Sequence, residues 1–384
     1  MATYKTESPK EEGPFVYDNW RAAIDGVPST VALEYPLFTD AHIVGEIRSG
    51  FGPYRILNTV PITKTRSFVP ALVLRAEFHL EDDFFVRKDR KTNIHRYHGG
   101  LLNDEIAALL SLCLGIRLKS GGYTREFLAD SDPKGRPTAT EIYRDPVLPI
   151  PAGRSVILPR ALGEHSLTDA SILGSLPLIP RDGALALVRS TRLYQDAVWI
   201  TEAEPHLSWV MLVSAVETAA GYWRATKEPP TERLKVSRPD LVALLRATGG
   251  DKLVDQVANK IADYIGATKK FVDFILEFLP EPPSDRPPEG FQHPWNRKTM
   301  RKSMKIIYDW RSRALHGGTP FPFPMCEPPW KQGNSYAEKP IGLGTRALGA
   351  YWAAKDTPML LHAFEYIVRQ ALLKWWGSML QVDS

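Results

Sequence analysis

The run Tyr308-Asp309-Trp310-Arg311-Ser312-Arg313-Ala314-Leu315-His316-Gly317-Gly318 carries the side chains of this sequence best suited to chemistry. At 100° per residue it reads as a helix that stops at the Gly-Gly pair, with Gly317 as the left-handed cap residue. With Arg311 as the zero direction, Met304, Ile307, Ala314 and Leu315 fall within about 60° of it. Arg311 therefore stands in the apolar arc of its own helix, where a guanidinium is costly unless an anion pairs with it. Ser312 and His316 lie about 40° apart on a neighbouring arc, with Asp309 close by. His316 also falls in the last turn, where the negative end of the helix dipole favours the imidazolium. An arginine forced to find an anion, beside a histidine able to move protons, suits phosphate chemistry. The same spacing fits a buried structural ion pair with a capping histidine, and spacing alone leaves both open.

Three further groups bear on that choice. Glu217 stands in the apolar stretch Leu207–Tyr222 with Val210, Val213 and Gly221 on its side, so it needs a cation as much as Arg311 needs an anion. A Glu217–Arg311 contact is expected, within one chain or across a dimer; pairing of Glu217 with Arg224 is the alternative. Arg297, Arg301 and Lys305 recur every four residues with Lys298 and Lys302 beside them, a basic stripe that would track RNA phosphates or simply stay solvated. The loop after Gly318 holds Phe321, Phe323, Trp330 and Lys331, which either stack unpaired bases or tuck into the fold as an apolar clasp.

The pattern Tyr308-x-x-Arg311-Ser312-x-x-x-His316-Gly317 resembles the R-x4-H motif of HEPN domains, and more narrowly their ApeA-like branch. The resemblance spans residues 183–384; the N-terminal half is similar only in outline, through Asn103-Asp104-Glu105-Ile106-Ala107 and Leu110-Ser111-Leu112-x-Leu114-Gly115. It implies an all-helical bundle that dimerises so that two Arg/His helices share a cleft. It further implies a metal-independent endoribonuclease that needs no cofactor, of the kind found in prokaryotic anti-phage, abortive-infection and toxin systems. Arg311 and His316 would be its catalytic pair, with Ser312, Tyr308 and Glu217 supporting them. RNA, a second copy of the chain, and an antitoxin or trigger protein are the partners this implies. A non-catalytic HEPN module that binds RNA, a nucleotide or a protein is the competing reading, and a dimerisation scaffold the third.

The elements that must position these residues are legible in part. With 384 residues the chain is long enough for two cores. An apolar share of 43% and a charged share of 24% are those of an ordinary globular protein, and a net charge of +4 permits an anionic partner without requiring one. Cys113 and Cys326 form no metal-ligand spacing, which points to a reducing cytoplasm. The N-terminus lacks an apolar leader segment and Leu207–Tyr222 is too polar to span a bilayer, so no membrane association is expected. His79, His95 and His98 invite zinc, yet no cysteine or carboxylate completes a known spacing. No phosphate-cradling glycine loop and no nucleophile elbow is present.

In chain order, residues 1–14 read as a tail and 15–140 as an α+β domain with a sensing or regulatory role. Its strands are expected at Ala41–Ile47, Tyr54–Val60 and Val69–Leu80, and its one helix runs from an Asn103 or Asp104 cap to Gly115. Prolines at 146, 149, 151, 159, 177 and 180 make 141–182 a linker or extended arm. From 183 onward the fold class is an all-α HEPN-type helical bundle. Its helices are expected at Gly183–Ile200, Pro205–Arg224, Pro239–Ala247, Leu253–Leu279, Arg297–His316 and Pro358–Leu380.

Overall fold

The computed structural model describes residues 12–58, 69–80, 92–128, 146–148, 156–225, 229–261 and 266–380. Most of the expected tail, the ends of the strands read to Val60 and the stretch 129–145 lie outside them. The chain divides into two compact units. The first comprises residues 1–147, 162–192 and 379–384, and the second residues 148–161 and 193–378.

The first unit is built on an antiparallel sheet. Strand β1 (Val31–Thr39) is its spine, flanked on one side by β4 (Val69–Phe78) and then β3 (Tyr54–Asn58), and on the other by β5 (Lys119–Ser120) and β6 (Arg125–Leu128). Alternation along β1 and β4 puts Tyr35 opposite Leu74 and Leu37 opposite Leu72, and these leucines are fully buried. A short β2 (His42–Val44) pairs in parallel with β7 (Glu164–Ser166). Helix α2 (Leu102–Leu114) is apolar on every side and buried along its length, and Gly115 ends it in the left-handed conformation (φ 69°). Its cap position is Leu101, two residues before Asn103, and the Asp104 carboxylate reaches back to the Leu101 N–H. Helix α1 (Phe15–Ile24), absent from the sequence reading, is capped from outside: buried Glu105 of α2 accepts the N–H groups of Phe15 (3.1 Å) and Val16 (2.6 Å).

The expected linker is folded where it is described. Leu167–Leu178 forms a 3-10 segment that buries Leu167, Ala170, Leu173 and Leu176 beside α2, with Ser166 as its N-cap. Prolines excluded an α-helix here but not a tighter turn of apolar residues.

The second unit is helical. The boundary between units falls inside α3 (Arg181–Ile200). Helix α4 (Pro205–Ala225) packs against α7 (Ala267–Glu277), α8 (Arg297–Gly317) and α9 (Leu361–Ser378). Helices α5 (Pro230–Ser237) and α6 (Pro239–Ile261) close on a small core of Leu234, Val242, Val254 and Ala258. The single helix expected over Leu253–Leu279 is two, because Gly266 adopts φ 71° and starts α7 afresh; α6 itself breaks at Gly249–Gly250. Aromatics set the core. Trp209 is sandwiched between Phe321 (5.2 Å) and Phe364 (4.7 Å), and Phe274 meets Trp223 and Trp375 edge-on.

Two hairpins interrupt the helices, β8 (Lys331–Gln332) with β9 (Ser335–Tyr336) and β10 (Gly344–Ala347) with β11 (Ala350–Ala353). The second turns at Leu348 (φ 50°) and Gly349 (φ 79°). Two positive φ values are what a twisted two-residue hairpin demands, and leucine supplies one at a steric cost. Leu348 is 80% exposed, so its side chain returns little in burial. Leu348→Asn is expected to stabilise the second unit by about 1 kcal/mol. An unchanged or lower urea midpoint would contradict this.

Candidate functional site

Helix α8 delivers the motif. Its N-cap is Asn296, whose side chain accepts the Thr299 N–H at 2.9 Å. One stripe, Met300, Met304, Ile307 and Tyr308, is buried against the bundle, and Arg311 continues it by one turn. The helix runs through Gly317, and Gly318 (φ 63°) rather than Gly317 is the left-handed cap.

Glu217 of α4 meets this stripe. The expected Glu217–Arg311 contact is present within one chain: Arg311 Nη2 donates to Glu217 Oε2 at 2.5 Å. The Tyr308 hydroxyl donates to the other oxygen, Oε1, at 2.7 Å. Side-chain exposure is 18% for Arg311 and 22% for Glu217, so the pair is largely withdrawn from water. The Tyr308 ring lies 5.4 Å from that of Phe271, and the guanidinium sits 5.6 Å from the Tyr308 ring centre. Burial first, then the bond and charge of Glu217, push the Tyr308 hydroxyl well above its ordinary range. It stays a proton donor, committed to Glu217, and so orients the carboxylate rather than a substrate. Arg311 Nε is buried and has no acceptor among the described residues. A buried donor of this kind is costly to leave without an acceptor.

His316 and Ser312 are arranged differently. His316 is exposed at the end of α8, and Ser312 is half-buried. Five residues at 100° each set His316 about 140° around the helix from Arg311. The two key side chains of one copy thus diverge, while Arg311 alone is held rigidly. Asp309 is also exposed.

The basic stripe is divided. Arg297 Nη1 donates to the Leu276 carbonyl (2.7 Å) at the end of α7, and Arg301 faces Asp273 of α7 at 3.5 Å. Both therefore help dock α8 on α7. Lys298, Lys302 and Lys305 are exposed. The aromatic loop is divided as well: Phe321 is buried on Trp209, whereas Trp330 is 68% exposed.

Two features escaped the sequence reading. Trp310 Nε1 donates to the Asp356 carbonyl at 2.9 Å, which ties the end of the hairpin region to the motif helix. Arg313 lies 4.7 Å from the Trp310 ring centre and extends the cationic surface beside the motif. The Trp310/Arg313 spacing of three was a signal for the second; nothing in the sequence marks a backbone carbonyl as a partner. The histidines considered for zinc serve separately. His98 Nε2 meets Glu105 (2.6 Å), His79 Nδ1 meets the Val27 carbonyl (2.6 Å), and His95 faces Asp182. No metal-binding cluster occurs among the described residues, and no helix there is long and apolar enough to cross a membrane. Compared with known proteins, the chain matches no family model, no curated protein and no solved structure.

Proposed function

We propose that the chain is a HEPN-type endoribonuclease that cleaves RNA without a metal ion. One observation carries the reading: an arginine fixed by Glu217 and Tyr308, with a spare buried N–H, one turn before an exposed histidine. The RNA 2′-hydroxyl would attack the adjacent phosphorus as its proton passes to one neutral His316, and the bond to the 5′-oxygen would break as that oxygen takes a proton from a general acid, a second His316 as imidazolium or water. Arg311 would hold the non-bridging oxygens as charge builds on them. The products are a 2′,3′-cyclic phosphate and a free 5′-hydroxyl. The angle of about 140° between Arg311 and His316 on one helix favours a site shared by two copies, where each chain contributes to a common cleft. A defence effector role, an antitoxin or trigger partner, a cytoplasmic setting, and a sensing or restraining first unit belong to the same proposal.

The test is denaturing gel analysis of mixed cellular RNA incubated with purified protein in EDTA. Wild type is expected to cut and leave cyclic phosphate ends. His316→Ala is expected to lose about 10²–10⁴-fold in rate while its melting curve is unchanged, because the imidazole is exposed. Cleavage that persists in His316→Ala would overturn the assignment. Intact RNA that is nevertheless bound, with binding lost in Arg311→Ala, would establish the non-catalytic binding module instead.

A further inference from the structure

Beyond the motif, the second unit has a pocket of about 280 Å³ in the segment that follows α8. Its walls include Pro324, Pro328 and the indole of Trp330, and its polar groups are Glu327, Lys339 and Thr345. Pockets for drug-sized ligands run about 300–1,000 Å³. This one suits a single flat ring system between apolar faces, with an acceptor, a hydroxyl and a cation at its edge. Exposed Lys331 and Arg346 adjoin the lining residues Trp330 and Thr345 in sequence, and Lys339 lines the pocket itself, against exposed Glu327. That balance favours an anionic strand over an acidic-residue-seeking or neutral partner.

The pocket is also tied to the motif helix. Leu360, which lines it, follows Asp356 by four residues, and the Asp356 carbonyl is the acceptor of Trp310 Nε1. Chain reach places Leu360 within about 14 Å of that contact. Trp310 immediately precedes Arg311, and Arg313 lies over its ring, so an aromatic and a cation stand beside the contact that joins the motif helix to Asp356. Trp330 itself is held by its backbone, whose carbonyl accepts the Ala337 N–H at 2.9 Å, while its side chain remains free of the core. An exposed tryptophan on a braced backbone is a stacking platform, since every base offers a π-face.

We propose that this pocket is a subsite for one unpaired nucleobase of the RNA strand acted on at Arg311 and His316, an inference that rests on the nuclease reading for its substrate. The base stacks on Trp330, its edge meets Glu327 and Thr345, and Lys339 takes the neighbouring phosphate. The chain would then prefer single-stranded RNA, because a paired base cannot enter a one-ring pocket.

The experiment measures fluorescence anisotropy of a 2′-O-methyl oligoribonucleotide, which binds but cannot be cut, with the full chain. It is compared with the same strand annealed to its complement and with free nucleoside monophosphates. Trp330→Ala is expected to raise the Kd for the single strand about tenfold, Trp330→Phe to retain most of the affinity, and the duplex to bind weakly and without dependence on Trp330. Equal single-strand affinity in wild type and Trp330→Ala overturns the subsite. Trp330-dependent binding of a free mononucleotide alone overturns the assignment to the strand. Parallel cleavage assays keep the two readings apart. Loss of cleavage in Arg311→Ala with an indifferent Trp330 leaves the nuclease standing without the subsite. Trp330-dependent strand binding by a chain that cuts nothing leaves the subsite without the nuclease.

Discussion

Arg311→Ala is expected to do two separable things: abolish RNA cleavage and weaken the second unit. The first follows from the charge that builds on phosphate oxygens, where loss of a fixed donor costs about 10²–10³-fold or more. The second follows from what is left behind. Glu217 would keep the Tyr308 hydroxyl on one oxygen and lose the guanidinium from the other. An uncompensated buried carboxylate costs about 3–5 kcal/mol, but Glu217 is about one-fifth exposed, and water reduces the figure to about 2 kcal/mol. The double variant Glu217→Ala/Arg311→Ala removes both charges and is expected to recover most of that stability while remaining inactive. Urea unfolding and the RNA gel, run on wild type and both variants, read the two effects independently. If the double variant regains both stability and cleavage, Arg311 is a structural partner and not a phosphate ligand. If Arg311→Ala cleaves normally, the mechanism falls.

Why was this pair legible when much around it was not? Arg311 and Glu217 each broke the apolar pattern of a helix, and the local rule that buried charges seek opposite charges was enough to join them across 94 positions. The helices α4 and α8 were equally readable, because their apolar periodicity is strong and their ends carry Pro205 and Gly318. Where a non-local partner decides, the sequence is silent. Helix α1 owes its N-terminus to Glu105, 89 residues distant from Val16. Arg297 and Arg301 spell a phosphate track, yet α7 supplies acceptors for both. The stretch 167–178 has a linker's proline at Pro177 and the apolar side chains of a core, and the second property won because α2 offers a surface to cover. Gly266 was a local signal overlooked, a glycine in a helical pattern that restarts rather than tolerates the helix.

Acid is expected to unfasten the segment that bears the Trp330 pocket. This segment is held by a buried polar cluster. Arg286 Nε donates to Glu338 Oε1 (2.8 Å) and Nη2 to Oε2 (2.5 Å), while Glu338 Oε2 also accepts the His293 N–H at 2.7 Å. His293 Nδ1 meets the Pro358 carbonyl (3.1 Å), and its Nε2 faces Ser303 of α8. His362 Nε2 meets the Ala337 carbonyl at 2.7 Å. Burial is the main reason that both imidazoles are pushed down to about 4, against 6.5 for a free histidine; Arg286 and Lys339 near His293, and Arg160 near His362, act in the same direction. The unfolded chain therefore binds more protons than the folded one between these values, and stability falls as pH drops from about 6.5 to about 4. Each histidine contributes on the order of 3 kcal/mol that is fully present above pH 6.5 and lost progressively below it. Since Ala337, Glu338 and Pro358 belong to the pocket segment, the loop from 324 to 360 is expected to detach from Ser303 of α8 at acid pH. Urea midpoints at pH 7.5, 6 and 5 measure the slope. His293→Gln and His362→Gln should each be less stable at pH 7.5 and show a shallower decline toward pH 5. A decline as steep in both variants as in wild type would mean that other groups carry the acid response, and that these histidines are held neutral without consequence for the fold.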